Sequence, residues 1–549
     1  MTAESAVATP RTVWTSRDGV VIHDLVPERD RRAWAARGHC PDRDLYSLFA
    51  EHARRHPGRE AVIDAAGAVD YATLAARVRR IAAAFAAAGL GARDIIALRL
   101  PNGREAVAAE LAVAALGAVS LPYPPGRGTR DTVSLLTRSR ARGAVFSSPD
   151  DVALLPQLAC LRAVFAPGGL PGARPLDVPA PAFPDPPPTP DPDSPARILV
   201  SSGSEAEPKM VAYAHNAMAG GRAAYIRALH ADGTPPRHLV LVPLASSFGS
   251  CGTPVTVAAL GGTLLVQDSF DPAAALRMIS EYRPTHVFGV PTMLRRLADH
   301  PPLPGEDLTG LRAVVSSGAA LPASTADACR RRFGRPVIAV YGSSDGVNCH
   351  TAATGLTPET GTGRPDPAVA AIRITDGHGD PLPPGQPGEI CARGPMTPLC
   401  YVASPELDAR YRTAGGWVRT GDLGLLDAHG RLHVLGRLRQ IVVRGGYNIS
   451  PAEVERELGA HPAVAEAVCV AVPDPDLGER LCACVRELPG TAPSLTLPDL
   501  TAFLERERGL ERRKLPELLL RLPEMPLGPT GKICRRTLTA MASAAPRRA

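Results

Sequence analysis

Apolar positions along the chain keep two rhythms. From Leu45 onward, stretches spaced three or four residues apart alternate with short continuous apolar runs. Leu74, Val78, Ile81 and Phe85 fall at helical spacing with Arg77, Arg79 and Arg80 between them, which predicts an amphipathic helix. Asp94-Ile-Ile-Ala-Leu-Arg-Leu follows as a strand and ends in a Pro-Asn-Gly turn. Residues 106–117 predict a further helix, and Ala118-Val-Ser-Leu-Pro a further strand. The apolar runs recur at Arg197-Ile-Leu-Val, His238-Leu-Val-Leu-Val, Leu311-Arg-Ala-Val-Val and Pro336-Val-Ile-Ala-Val. Such alternation implies crossover units: an α/β fold of doubly wound, largely parallel sheet covered by helices.

After Gly361 the texture changes to short alternating runs, Ala370-Ala-Ile-Arg-Ile and Gly388-Glu-Ile-Cys-Ala, predicting a small antiparallel or barrel-like section. Residues 436–446 carry three arginines and three glycines and read as a hinge. Pro451-Ala-Glu-Val-Glu-Arg-Glu-Leu and then residues 464–472 predict helix followed by strand, a small α+β unit. Residues 168–195 are dense in proline and form an extended surface connector, between domains or within one large unit.

Composition narrows the classes. At 549 residues, 45% hydrophobic and 21% charged, the chain is an ordinary globular one that needs no disulfide or metal staple. No apolar run approaches the ~18–20 residues that span a bilayer, and no secretory signal is visible in residues 1–17. A net charge of +6 is too weak and too scattered to indicate nucleic acid. The eleven cysteines lack metal or disulfide spacing, Cys482-Ala-Cys484 included, and read as buried thiols of a cytoplasmic protein. Of 61 basic residues only Lys209, Lys514 and Lys532 are lysines; the other 58 are arginines, as a GC-rich genome would favour. Each retained lysine is therefore informative.

Five stretches carry candidate chemistry. Leu199-Val-Ser-Ser-Gly-Ser-Glu-Ala-Glu-Pro-Lys209 is a hydroxyl- and glycine-bearing loop directly after a strand. Backbone N–H groups, hydroxyls and a lysine in such a loop donate to phosphate oxygens. Tyr341-Gly-Ser-Ser-Asp-Gly346 presents hydroxyls and a carboxylate at a strand's C-terminal end, where ligands sit in open α/β sheets. Trp417-Val-Arg-Thr-Gly-Asp-Leu-Gly424 offers an aspartate able to take two ribose hydroxyls. Gly436-Arg437-Leu-Arg439-Gln440 runs on to Arg444-Gly445-Gly446, and Pro526-Leu-Gly-Pro-Thr-Gly531-Lys532 ends in a glycine-flanked lysine. Each alone reads equally as an ordinary turn.

In this order and spacing the five resemble the adenylate-forming superfamily, in its acyl-CoA synthetase branch, from about Leu45 to Leu538. The resemblance implies a large N-terminal domain (residues 1–436), a hinge (437–440) and a mobile C-terminal domain (441–549). It implies ATP, Mg²⁺, a carboxylic acid and coenzyme A as ligands, with an acyl-adenylate intermediate. By position, Ser201, Ser202, Gly203, Ser204 and Lys209 would hold the triphosphate, and Gly318, Ala319, Ala320, Tyr341 and Gly342 would frame the adenine. Ser344 would touch phosphoryl oxygens, Asp345 the Mg²⁺, and Asp422 with Arg437 the ribose. Arg439 stands at the hinge position, and Arg444, Gly445 and Gly446 line the pantetheine tunnel. Lys532 would bridge the substrate carboxylate and the α-phosphate. Monomer and homodimer are both compatible with it.

The phosphate loop departs from the family's Thr-Ser-Gly-Thr-Thr-Gly-x-Pro-Lys: Glu205 replaces a hydroxyl, Ala206 a glycine, and Glu207 adds a carboxylate. A carboxylate ~4 Å from phosphate is unfavourable by a few kcal/mol at an effective dielectric near 20. Asp345 stands where the family has glutamate, and Ser246 where many members have histidine. Two expectations follow: normal adenylation with both glutamates in solvent, or a variant that takes supplied acyl-AMP and transfers its acyl group to CoA. Ser246, Ser247, Phe248, Gly249, Gly342 and Val347 are expected along the acyl pocket. The stretches 247–253, 316–318 and 342–347 are mostly small residues, which leave room for a bulky fatty, aryl or polycyclic acid in bacterial secondary metabolism, or serve close packing instead. No carrier-protein segment follows Lys532, which favours CoA over a separate carrier protein as acceptor. A non-catalytic nucleotide-binding homologue is disfavoured by the retained Lys209, Lys532, Asp422 and Arg437.

Overall fold

The computed structural model describes residues 11–176, 183–184, 187–201, 208–230, 232–413, 415–444, 447–488, 490, 494–529 and 531–545. The predicted helix around Leu74 runs from Tyr71 to Ala87, and the Asp70 carboxylate caps it by accepting from Thr73 N–H. Its periodic residues Leu74, Val78, Ile81 and Phe85 are all buried, and Arg79 and Arg80 are exposed. Arg104–Ala115, the next helix, is buried on nearly every side, because it lies inside the large unit.

Two sheets organise that unit. The first has seven strands, with Ile95–Arg99 paired in parallel to both Val119–Pro122 and Gly143–Phe146. At its edge Pro195–Val200 and Met210–Ala214 run antiparallel, and the stretch connecting them is the candidate phosphate loop. The second has eight strands, of which Glu60–Asp64, Thr263–Val266, Arg237–Val240, His286–Gly289, Ala313–Ser317 and Val337–Gly342 are parallel neighbours. One continuous apolar core joins both sheets to their helices. Because the six strands point the same way, the residues that follow them emerge along a single edge.

The section after Gly361 is a four-stranded antiparallel sheet in the order Ala371–Thr375, Gly388–Arg393, Val418–Leu426, Leu432–Arg437. A short turn, Leu438–Gln440, leads from it into a five-stranded sheet built around the Val464–Asp474 and Gly478–Glu487 pair. Two apolar clusters on the faces of this last sheet make a core separate from the large one. All eleven cysteines are free thiols, and nine of them are buried. No helix among the described residues is long and apolar enough to cross a membrane.

Lys514 lies in the short 3₁₀ turn Arg512–Lys514, where its Nζ donates to Glu453 Oε1 at 2.8 Å.

Candidate active site

The second sheet's C-terminal edge is where the separated motifs meet. Ser317 ends its strand and Gly318 follows with φ +91°, left-handed backbone that glycine adopts without strain. A Cβ there would stand 2.7 Å from Lys532 Cε and 3.2 Å from its Nζ, so the C-terminal unit's lysine rests directly on this glycine. Leu321 follows the 318–320 stretch and packs on the large core.

A tight loop delivers Lys532. Gly528 N donates to Lys532 O at 2.7 Å and Cys534 N to Pro526 O at 2.7 Å, closing residues 526–534 into a tip. The tip seats on the large unit through Thr292 Oγ1, which donates to Gly531 O at 3.1 Å. A Cβ on Gly531 would come within 2.5 Å of Met293 Cε, the far end of a flexible side chain, and the backbone there is left-handed at φ +75°, which favours glycine. Burial, and then the nearby Arg437 guanidinium, push the Lys532 ammonium down to about 8. Among the described residues Lys532 has no carboxylate partner to offset that cost.

Three further predicted residues meet on one carboxylate. Tyr341 OH donates to Asp422 Oδ2 at 2.7 Å, and Arg437 Nε lies 3.0 Å from Asp422 Oδ1. Asp422 and Arg437 are register partners on adjacent antiparallel strands, so sheet pairing sets their contact. Burial pushes the Asp422 carboxyl up, against the pull of Arg437. Two strands of the small sheet and one of the large sheet thus supply a single polar corner.

Beside it, Tyr401 OH donates to Asp345 Oδ1 at 2.6 Å, and Tyr213 OH to Ser344 O at 2.8 Å. Asp345 is one carboxylate among hydroxyls. That donor set suits Mg²⁺, which keeps several waters and binds through one or two carboxylates plus phosphate oxygens. Lys209 lies over the Tyr411 ring, its Nζ 3.8 Å from the centroid, with Tyr401 at 5.7 Å. Ser201 N donates to Lys209 O at 3.0 Å and closes the base of the 201–209 loop. The Ser201 hydroxyl is buried and has no partner among the described residues. Ser202, Gly203, Ser204, Glu205, Ala206 and Glu207 lie outside the described residues, as do Gly445, Gly446 and the Arg439 side chain. Arg444 pairs with Glu517 at 2.8 Å, within the C-terminal unit.

The stretch expected along the acyl pocket is anchored from beneath. Asn102 Nδ2 donates to Val242 O at 3.1 Å while its Oδ1 accepts from Leu244 N at 2.8 Å. Arg197, 1% exposed, pairs with Glu110 and donates to Leu244 O at 2.7 Å. Ser246 Oγ accepts from Gly249 N at 3.0 Å, and Ser247 O accepts from Arg222 at 2.9 Å. Phe248 packs toward Phe288 with centroids 5.9 Å apart. A Cβ on Gly249 would lie 2.0 Å from Pro243 O, and one on Gly252 2.5 Å from Leu244 Cδ2. Close approach therefore accounts for both glycines. Gly342 sits 3.1 Å, as a built Cβ, from Val347 O, and Val347 is fully buried in the apolar cluster under the small sheet.

Sequence reading passed over Arg127, which is buried and donates to Ser201 O at 2.9 Å, and the tyrosines Tyr213, Tyr401 and Tyr411. Arg127 was hidden among 58 arginines, though its Pro-Pro-Gly-Arg-Gly turn marks it as a constrained one. The tyrosines are rarer, ten in the chain, and three of those ten gather here with Tyr341.

Comparison with known proteins places this geometry. Residues 49–402 match the AMP-binding enzyme family, and residues 453–532 match the AMP-binding enzyme C-terminal domain. The chain is 31% identical over 539 residues to Triostin synthetase I of Streptomyces triostinicus, covering 95% of this chain and 99% of that one. It is 30% identical to the 2-hydroxy-7-methoxy-5-methyl-1-naphthoate–CoA ligase of Streptomyces carzinostaticus, covering 94% and 96%. Among solved structures, the amide bond synthetase McbA from Marinactinospora thermotolerans is similar with TM-score 0.77 and 30% identity, over 90% of this chain and 99% of that one.

Proposed function

The chain belongs to the AMP-binding enzymes, adenylate-forming ligases of the acyl-CoA ligase branch, and from that premise we propose that it makes the CoA thioester of a bulky apolar carboxylic acid through an acyl-adenylate. The observation that carries the reading is Lys532 resting on Gly318 beside the Tyr341–Asp422–Arg437 corner. A desolvated ammonium there, without a carboxylate partner among the described residues, suits an incoming anion.

In the first half-reaction a carboxylate oxygen of the acid attacks the α-phosphorus of ATP. The bridging P–O bond to the β-phosphate breaks, and pyrophosphate leaves with the electron pair. Lys532 faces both the attacking carboxylate and the α-phosphoryl oxygens, so its charge removes their mutual repulsion and fixes their approach. Asp422 takes the ribose hydroxyls, sharing its oxygens with Tyr341 and Arg437. Ser201, Lys209 and the loop between them take the β- and γ-phosphates. Mg²⁺, when bound at Asp345, neutralises phosphate charge. In the second half-reaction the CoA sulfur attacks the acyl carbon, the C–O bond to phosphate breaks, and AMP leaves as the thiol proton passes to solvent.

A naphthoate–CoA ligase among the relatives supports an aryl or polycyclic acid and supports CoA as acceptor. The anchored 243–252 stretch supports a rigid pocket wall, although close packing rather than spare room explains its glycines. The residues proposed for the acyl side remain Ser246, Ser247, Phe248, Gly249, Gly342 and Val347.

A mass-spectrometric screen tests the reading: bulky and small acids with CoA, in parallel arms supplied with ATP or with synthetic acyl-AMP. Thioesters of bulky acids in the ATP arm are expected. Acetate turned over as fast as those acids would overturn the substrate class. Product only in the acyl-AMP arm would mean that adenylation has been lost at the 205–207 positions. Amide or carrier-protein product without any CoA thioester would overturn the acceptor.

A further inference from the structure

The strands whose C-terminal ends carry the site begin in another cluster that acid activation does not use. His238 is the second residue of Arg237–Val240, His286 the first of His286–Gly289, and His230 caps the end of Ala223–Leu229. They are 0%, 2% and 8% exposed. One ligand nitrogen from each ring lies within 4.8 Å of those of the other two, and the Nε2 atoms of His230 and His238 are 2.8 Å apart.

Neighbouring hydroxyls set the tautomers. The Thr256 hydroxyl donates its only proton to Cys251 O at 2.6 Å, so at 2.9 Å it accepts from His238 Nδ1–H. His238 Nε2 is then an unprotonated lone-pair nitrogen. The Thr285 hydroxyl donates to Arg237 O at 3.0 Å, so at 3.1 Å it accepts from His286 Nδ1–H, and His286 Nε2 is likewise unprotonated. Across the 2.8 Å contact His230 Nε2–H therefore donates to the His238 Nε2 lone pair, while the buried His230 Nδ1 has no partner among the described residues; a cation taken at Nε2 displaces that proton to Nδ1. Metal-binding histidines are held in this way, the distal N–H donating to a fixed acceptor while the other nitrogen keeps its lone pair. Two threonines supply that outer shell to His238 and His286.

The surroundings keep the rings neutral, as ligands must be. Burial pushes His230 down to about 4 and His286 down to about 3, and His238 well below the usual imidazole range. The charged groups facing the cluster are Arg312 and Asp232, which pair with each other at 2.6 Å. A divalent cation therefore meets a nearly balanced local charge.

We propose that His230, His238 and His286 form a binding site for one divalent transition-metal cation of the zinc class, held through their Nε2 atoms. Neutral imidazoles select zinc, cobalt or nickel over magnesium, which prefers oxygen ligands. Coordination asks the two closest nitrogens to separate from 2.8 Å to about 3.3 Å, the tetrahedral spacing for bonds near 2.0–2.1 Å. The bound ion would tie the end of Ala223–Leu229 to two neighbouring strands, on the sheet edge opposite the ATP-binding edge. Its role is structural, and it does not depend on which acid or acceptor the enzyme uses.

Tag-free, full-length protein stripped with chelator and titrated with Co²⁺ tests this. The expected result is one Co²⁺ per chain, with visible d–d absorption of a four-coordinate site that one equivalent of Zn²⁺ abolishes. Zn²⁺ should also raise the melting temperature. His286→Gln and His230→Gln should each lose the absorption, whereas His461→Gln, outside the cluster, should retain it. No stoichiometric Co²⁺ in the wild type overturns the proposal without reference to any variant. Absorption surviving in either cluster variant overturns it equally.

Discussion

The two ends of the eight-stranded sheet are built from the same strands and hold opposite chemistry. At the N-terminal edge His238 and His286 sit on adjacent strands, buried and locked by hydroxyls into neutral tautomers. At the C-terminal edge the charges come from three places: Asp345 after Val337–Gly342, Asp422 and Arg437 from the small sheet, and Lys532 from the C-terminal unit. Burial acts in the same direction at both ends, disfavouring charge and lowering the histidines and Lys532 alike. The difference lies in what offsets it. The histidines meet the cost by staying neutral, whereas Lys532 near pH 7 stays charged and is stabilised only when an anion arrives. An edge assembled from one unit can be silent; an edge assembled across units stays poised.

The largest break in that comparison comes from removing the poised charge. Lys532→Ala should lower acid-dependent ATP–pyrophosphate exchange about 10²–10³-fold, the scale for losing one preorganised stabiliser of transition-state charge. Thioester formation from supplied acyl-AMP should change only a few-fold, because that step makes no bond to phosphorus. Gly445→Trp, at a position outside the described residues, should do the reverse. Equal losses in both assays for both variants would refute the two-state division of labour. Next in size is Gly318→Ala. Its Cβ would stand 2.7 Å from Lys532 Cε on backbone at φ +91°, so the Lys532 side chain must leave this seat and the backbone is strained. Exchange should fall about 10–100-fold, equivalent to roughly 1.4–2.8 kcal/mol, and unchanged exchange would show that Lys532 does not act from this seat.

Much of this was legible in the chain. Helical and strand periodicity located Tyr71–Ala87, Ile95–Arg99 and Val464–Asp474, since alternation of apolar positions records burial directly. The family resemblance that the motif order carries implies one shared site for Tyr341, Asp422, Arg437 and Lys532, and the four lie together at the sheet edge. Other features left no local trace. The Thr292–Gly531 contact joins positions 239 residues apart, and no spacing rule reaches across that distance. The histidine cluster fails the same way, because ligands at 230, 238 and 286 converge only once two strands pair. The glycines at 249 and 252 misled in another way: small residues suggested room, and they mark close backbone and side-chain approach instead.

A smaller effect follows from Lys532 titrating near 8 rather than at its usual 10.5. At limiting ATP, exchange should fall about tenfold between pH 7 and pH 9, as the ammonium is lost one unit above its midpoint. The docked unit shows the opposite sign. Lys532 undocked binds its proton up to about 10.5, so the penalty on docking is full below 8 and is relieved as pH rises from 8 toward 10.5. Interdomain fluorescence transfer in the ligand-free enzyme should therefore increase from about pH 8 upward, while exchange declines. With only three lysines, ¹³C-methylation gives a spectrum sparse enough to follow Lys532 directly. A midpoint near 10.5 would remove the desolvated ammonium from the comparison.

Lys514 supplies the smallest effect and the control for the other two lysines. Its ion pair with Glu453 joins the Arg512–Lys514 turn to the Pro451–Leu458 helix, with both side chains roughly a quarter exposed. Partly exposed pairs contribute at most about 1 kcal/mol, so Lys514→Met should lower the C-terminal unit's stability by no more than that. Exchange and thioester formation should both stay within twofold of wild type. A loss as deep as that of Lys532→Ala would mean that the arginine-rich background, not phosphoryl chemistry, governs where this chain tolerates a lysine. The expected result instead separates a lysine kept for an anion from one kept for a carboxylate already in the fold.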